Sequence, residues 1–121
     1  MKFYSCIHDK SDVAKISNLA YEEMIVSFLE IIYKFDGIDF LYNELLNDNN
    51  DKFKLKVSMF ILPYNLDRGK NLINICTKSN DKSCGASATN VLKYLDENFI
   101  NSYKSILDKI RKKKNIWNFI H

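Results

Sequence analysis

The sequence predicts an all-α domain, and three observations carry that prediction. Turn punctuation is scarce: 121 residues hold three Gly and one Pro, whereas a many-stranded sandwich or barrel needs such residues at its corners. Apolar residues recur at steps of three and four over most of the chain, the spacing of one helix face. Short polar clusters at 47–51 and 79–82 interrupt these stretches, as clusters that end one helix and cap the next do. With 46% hydrophobic residues, one domain of this size fills a core without a disulfide or metal staple.

Ser11 or Asp12 is expected to cap a first helix over 11–35, in which Val13, Ile16, Leu19, Ala20, Met24, Ile25, Phe28, Leu29 and Ile32 form the apolar stripe. Asp36-Gly37 ends it, since Gly just past a periodic run is the usual stop. A short helix over 38–46 follows, with Ile38, Leu41, Tyr42 and Leu45 on one side. Asp51 stands where an N-cap belongs for a third helix over 52–62, in which Phe53, Val57, Phe60 and Ile61 face inward and Lys52, Lys54 and Lys56 outward. KFKLKV alternates as a strand does, but its place between two helical segments favours the helix.

Pro63 closes that element, because the residue before a proline is pushed out of helical geometry. Asn65 caps a fourth helix reaching to about Lys78, with Leu66, Leu72, Ile73 and Cys76 on its apolar side. The fifth, SCGASATNVLKYLDEN over 83–98, carries Cys84, Ala88, Val91, Leu92 and Leu95. Gly85 costs it about 1 kcal/mol of helix propensity and lets a neighbour approach closely. Ile100, Tyr103, Ile106, Leu107 and Ile110 build the last helix, over 99–114; it ends in Arg111, Lys112, Lys113 and Lys114, ahead of a loose apolar tail with Trp117 and Phe119.

Residues 40–62 laid over 72–92 share a plan: an apolar helix, a polar turn ending in Asp-Lys, and a second helix with small or β-branched residues inside. Asp51 aligns with Asp81 at an offset of about 30 residues, within the range of stacked supersecondary repeats. The plan resembles the HEAT repeat of the armadillo-like superfamily. Asp51, Phe53, Lys54 and Val57 stand at its consensus places in the first unit, and Asp81, Ala86, Ala88 and Leu92 in the second. The stretch LLNDNNDKFKLKVSMFILPYNLDRGKNLINI is similar in particular to a small bacterial HEAT-like family of unknown function. The resemblance covers roughly 38–96 and implies a short right-handed stack of antiparallel hairpins, about six helices in all, with the first and last helices as caps. Cys84-Gly85 depart from it, standing where an apolar-basic pair is expected.

The chemistry-bearing residues argue for binding over catalysis. His8 and His121 lie near the termini, and no Gly-rich phosphate cradle, HExxH or GxSxG occurs. Three cysteines, Cys6, Cys76 and Cys84, lack metal-ligand spacing. Glu22-Glu23, Asp36/Asp39 and Asp96-Glu97 read as solvated faces, and the acids of 48–51 lack the Gly and the distal Glu of a calcium loop. Neither cofactor nor metal is expected. No apolar run has the length of a signal peptide or of a membrane span, so a cytoplasmic protein without membrane insertion is expected.

Charge is concentrated at one end. Residues 99–121 carry six basic side chains against the single acid Asp108, while residues 1–98 hold twelve basic and fourteen acidic ones. Lys109, Arg111, Lys112, Lys113 and Lys114, with Trp117 beside them, form the candidate partner-binding set, although cations at a helix C-terminus are also favoured by the helix dipole alone. The expected function is a protein-protein interaction module, in one version an immunity or antitoxin-type protein that masks a partner's active surface. The alternative is nucleic-acid binding through the basic end. A viral Bcl-2-like inhibitor ranks lower, because the Asn-Trp-Gly-Arg run of its groove is missing.

Overall fold

In a computed structural model, the backbone of residues 10–120 and the side chains of residues 20–113 are described. Six helices follow in order: α1 (Lys10–Ile32), α2 (Gly37–Leu46), α3 (Asp51–Ile61), α4 (Leu66–Cys76), α5 (Lys82–Lys93) and α6 (Glu97–Ile120). No strand occurs among the described residues. The architecture is an all-α stack of helical hairpins, and KFKLKV is helical.

Several boundaries differ from the sequence reading. α1 already begins at Lys10, so Ser11 and Asp12 lie inside its first turn. It stops at Ile32 rather than residue 35, because Lys34 N–H bonds to Ile31 O in a tightened last turn. The left-handed residue of the turn into α2 is Asp36, at φ 58°, and Gly37 serves a different need. A Cβ on Gly37 would stand 1.6 Å from the carbonyl oxygen of Ile31, so the chain turns this tightly only with glycine there.

α3 is capped by Asn50, whose side chain accepts from Phe53 N–H, and Asp51 is the first helical residue rather than the cap. α5 is capped by Asp81, which accepts from Ser83 and Cys84 N–H. Asn50 and Asp81 are therefore the equivalent cap positions, one residue off the alignment of Asp51 with Asp81. Asn65 caps α4 as expected, accepting from Arg68 N–H. The fifth helix stops at Lys93, short of residue 98, because Asp96 accepts from Phe99 N–H at 2.7 Å and starts α6. α6 then continues through the basic run to Ile120, so the segment read as a loose tail has a helical backbone.

Alternate helices pack in two layers: α2 against α4, and α1, α3 and α5 side by side, with α3 joined to α4 and α4 to α5. α6 leaves the end of α5 and returns to α1. The main core gathers Ile25, Leu29, Leu41, Leu45, Val57, Phe60, Leu72 and Leu107 from five helices. A smaller core joins Leu62, Ile73, Cys76, Cys84 and Ala88 at the other end. Burial of one such side chain is worth about 1.5 to 3 kcal/mol. Val57 and Ala88 are fully buried as expected, whereas Leu92 only packs against the edge of the smaller core.

Lys54 departs most clearly from its expected place. On a helix, positions two apart point to nearly opposite sides, so Lys52 and Lys56 share an exposed face while Lys54 turns inward. It is 6% exposed, with its ammonium 3.9 Å from the Asp51 carboxylate and its aliphatic stem in the protein.

Candidate functional site

The turns that precede α3 and α5 lie side by side and are tied together. Ser79 Oγ donates to Asp51 Oδ2, Lys52 Nζ lies 3.5 Å from Asp81 Oδ2, and Cys76 Sγ donates to the Asp51 carbonyl at 3.8 Å. Ser79 Oγ also accepts from Asp81 N–H and so bridges the two aligned aspartates, of which only Asp81 is a cap. Donation from the N–H of Cys84, at the start of α5, holds the Asp81 carboxyl below the ordinary carboxylate range, aided by Lys52. Burial pushes the Cys76 thiol up to about 11, with neighbouring Cys84 adding to the shift. Both thiols are free and buried, and the raised value makes Cys76 a poor nucleophile.

The basic run, the expected binding site, folds back onto α1. Arg111 lies 4.0 Å above the Tyr33 ring with its Nε 3.6 Å from Glu30 Oε1, and Lys113 Nζ lies 3.5 Å from Glu22 Oε2. Lys109 and Lys112 are exposed; the side chains of Lys114 and Trp117 lie outside the described residues, although their backbone belongs to α6. Below them, Asp108 Oδ1 accepts from Tyr64 OH at 2.9 Å and Tyr33 OH at 3.1 Å. Burial, reinforced by Asp108, raises the Tyr64 phenol well above its usual range. Much of the charged end is thereby engaged in fastening α6 to α1 and to the loop before α4. Of the acids set aside earlier, Asp39 pairs with Arg68 at 2.9 Å, and Arg68 in turn lies 4.5 Å from the Tyr42 ring.

A groove of about 450 Å³ opens on the layer of α1, α3 and α5, beside α6. α3 lines it with Lys52, Leu55, Lys56 and Met59, the i, i+3, i+4, i+7 spacing of one helix face. Ser83 and Ser87 of α5, Tyr21 of α1 and Tyr103 of α6 also line it, and buried Phe60 and Cys84 form the floor. Burial raises the Tyr103 phenol above its ordinary range, so it stays protonated and able to donate. Among the described residues no carboxylate lines the groove, and Lys56 Nζ stands 5.8 Å from the Tyr21 ring centre.

Sequence reasoning missed this groove. The 52/55/56/59 stripe was present in the sequence, but its lysines were read as plain solvated residues.

Among the described residues, no group of three or more His, Cys, Asp or Glu could hold a metal ion, and no helix is long and apolar enough to cross a membrane. The arrangement has an apolar floor, serine and tyrosine hydroxyls and two exposed lysines on α3, which suits recognition. No protein-family model, curated protein or solved structure matches the chain.

Proposed function

We propose that the chain is a HEAT-like helical-repeat module that acts in the cytoplasm by binding another protein through the groove between α1, α3, α5 and α6. The observation that carries this reading is the composition of that groove. Leu55 and Met59 are half-exposed above a buried floor, and an apolar centre rimmed by polar side chains is what a protein interface buries. The repeat reading draws on the paired turns before α3 and α5 and on the packing of alternate helices. α6 returns to pack on α1, so the two helices expected to cap opposite ends of the stack lie together. An immunity or antitoxin-type role, in which the groove face covers a partner's active surface, is the concrete form of the proposal.

The test is a pull-down from the native host with the wild type, Ser87→Trp, and a variant with Ser at 111, 112, 113 and 114. Ser87 is exposed on α5, so a Trp there fills the groove from its rim. The expected result is one protein partner retained by the wild type and the serine variant and lost by Ser87→Trp. Recovery of DNA or RNA instead, lost in the serine variant and weakened at least about tenfold between 50 and 200 mM salt, rejects the groove in favour of a phosphate-binding basic end.

A further inference from the structure

Resting on that reading of the groove, we infer that its occupant is a short amphipathic helix of the partner, with carboxylates flanking an apolar stripe. Three features of the groove define the occupant. Its walls are helices, whose backbone groups are already bonded within α3 and α5. An extended segment laid there finds no ladder for its own N–H and C=O groups, whereas a helix brings its backbone bonds with it.

The second feature is length. Lys52 to Met59 spans about two helical turns, roughly 10 Å, which accommodates the i, i+4 anchors of one short helix.

The third is charge. Among the described residues, the lining contains Lys52 and Lys56 one turn apart and no acid. Their side chains are exposed, so they reach the rim without desolvation. Lys52 contacts Asp81 at 3.5 Å, but its side chain keeps 71% exposure, and such a surface pair exchanges readily for an incoming carboxylate. Among the described residues, Lys56 meets the face of Tyr21 in the groove and no carboxylate. Glu or Asp at a spacing of four on the incoming helix meets both ammonium groups, its Leu, Met or Phe side chains settle between Leu55 and Met59, and Ser83 and Ser87 offer hydroxyls.

The probes are two labelled synthetic helical peptides of about four turns, with the same Leu stripe and with either Glu or Lys at the flanking positions. A single-stranded DNA oligonucleotide of similar negative charge is the third probe. Each is titrated by fluorescence anisotropy against the full chain and its Lys52→Glu/Lys56→Glu double variant, whose fold is checked by circular dichroism. The Glu peptide is expected to bind the wild type at least about tenfold more tightly than the Lys peptide, with the preference inverted in the double variant.

Equal affinities, no binding of either peptide, or a preference that survives the double substitution overturns the inference. Tighter binding of the oligonucleotide, lost with the same two lysines, overturns it too, because the lysines are then phosphate readers. Failure of the peptides while Ser87→Trp still releases a native protein partner rejects the acidic helix and leaves the groove as the binding face.

Discussion

A Cβ on Gly69 would stand 2.6 Å from Leu62 Cα, and this backbone-to-backbone approach is what lets α4 pack so closely on the end of α3. Gly69→Ala is expected to cost at least about 1 to 3 kcal/mol in urea unfolding, the cost of overpacking, although Ala is the better helix former. Lys54→Met, in contrast, is expected to be neutral or stabilising, because it exchanges an inward ammonium with one 3.9 Å partner for an apolar chain of similar length. A loss at Lys54→Met comparable to that of Gly69→Ala contradicts the placement of α3.

The Asp81 cap sets a pH dependence. Its carboxyl is held below the ordinary range in the folded chain, so its contribution is present in full above the unfolded value and fades as pH falls through the lower, folded one. Asp81→Asn should flatten the acid arm of the curve of urea midpoint against pH, while the wild type declines there. Residue roles were legible where the periodicity was complete: Val57 is buried, and Val57→Ala should cost about 2 kcal/mol, more than Leu92→Ala at the half-exposed edge. Lys54 was misread because alternating lysines suggest a common face, which is true of a strand and false of a helix.

α6 is fastened to the rest of the molecule both by core packing and by side-chain bonds. Among its described residues Leu107 is the one fully buried side chain, with Tyr103 and Ile110 packed against the core; the seam also holds Asp108 under Tyr33 and Tyr64, Arg111 on Tyr33, and the pairs with Glu30 and Glu22. Asp108→Ala leaves the part-buried Tyr64 hydroxyl without its acceptor and should cost about 1 to 3 kcal/mol. In hydrogen exchange, that variant is expected to lose protection in α6 and the last turns of α1 before α3 and α4 change. Uniform loss across all helices contradicts this division.

Element type was readable where apolar periodicity was long; KFKLKV was decided by its place between two helical segments, and the helical backbone of 115–120 was not foreseen. Boundaries were less so. The α5–α6 break depends on the Asp96 side chain reaching Phe99 N–H, a cap signal hidden inside an unbroken run of helix-compatible residues. Asn50 and Asp51 are both capable caps, and only the geometry of the turn selects the first.

Two cores, two paired turns and a returning α6 give the molecule one face on which α1, α3, α5 and α6 meet. That face was the least legible feature, since Tyr21, Met59, Ser87 and Tyr103 are far apart in sequence and no local pattern joins them. The basic end was conspicuous in the sequence for the opposite reason: its charges are consecutive. Its partners, Glu22 and Glu30, lie some eighty to ninety residues earlier and become visible only when α6 closes on α1.

The central claim is that the groove, rather than the basic end, receives a protein partner. Photo-crosslinking in the native host tests it most directly, with benzoylphenylalanine placed at Met59 in one strain and at Lys112 in another. The account predicts one discrete protein adduct from position 59 that Ser87→Trp abolishes, and none from position 112. A protein or nucleic-acid adduct from position 112, with position 59 silent, contradicts it.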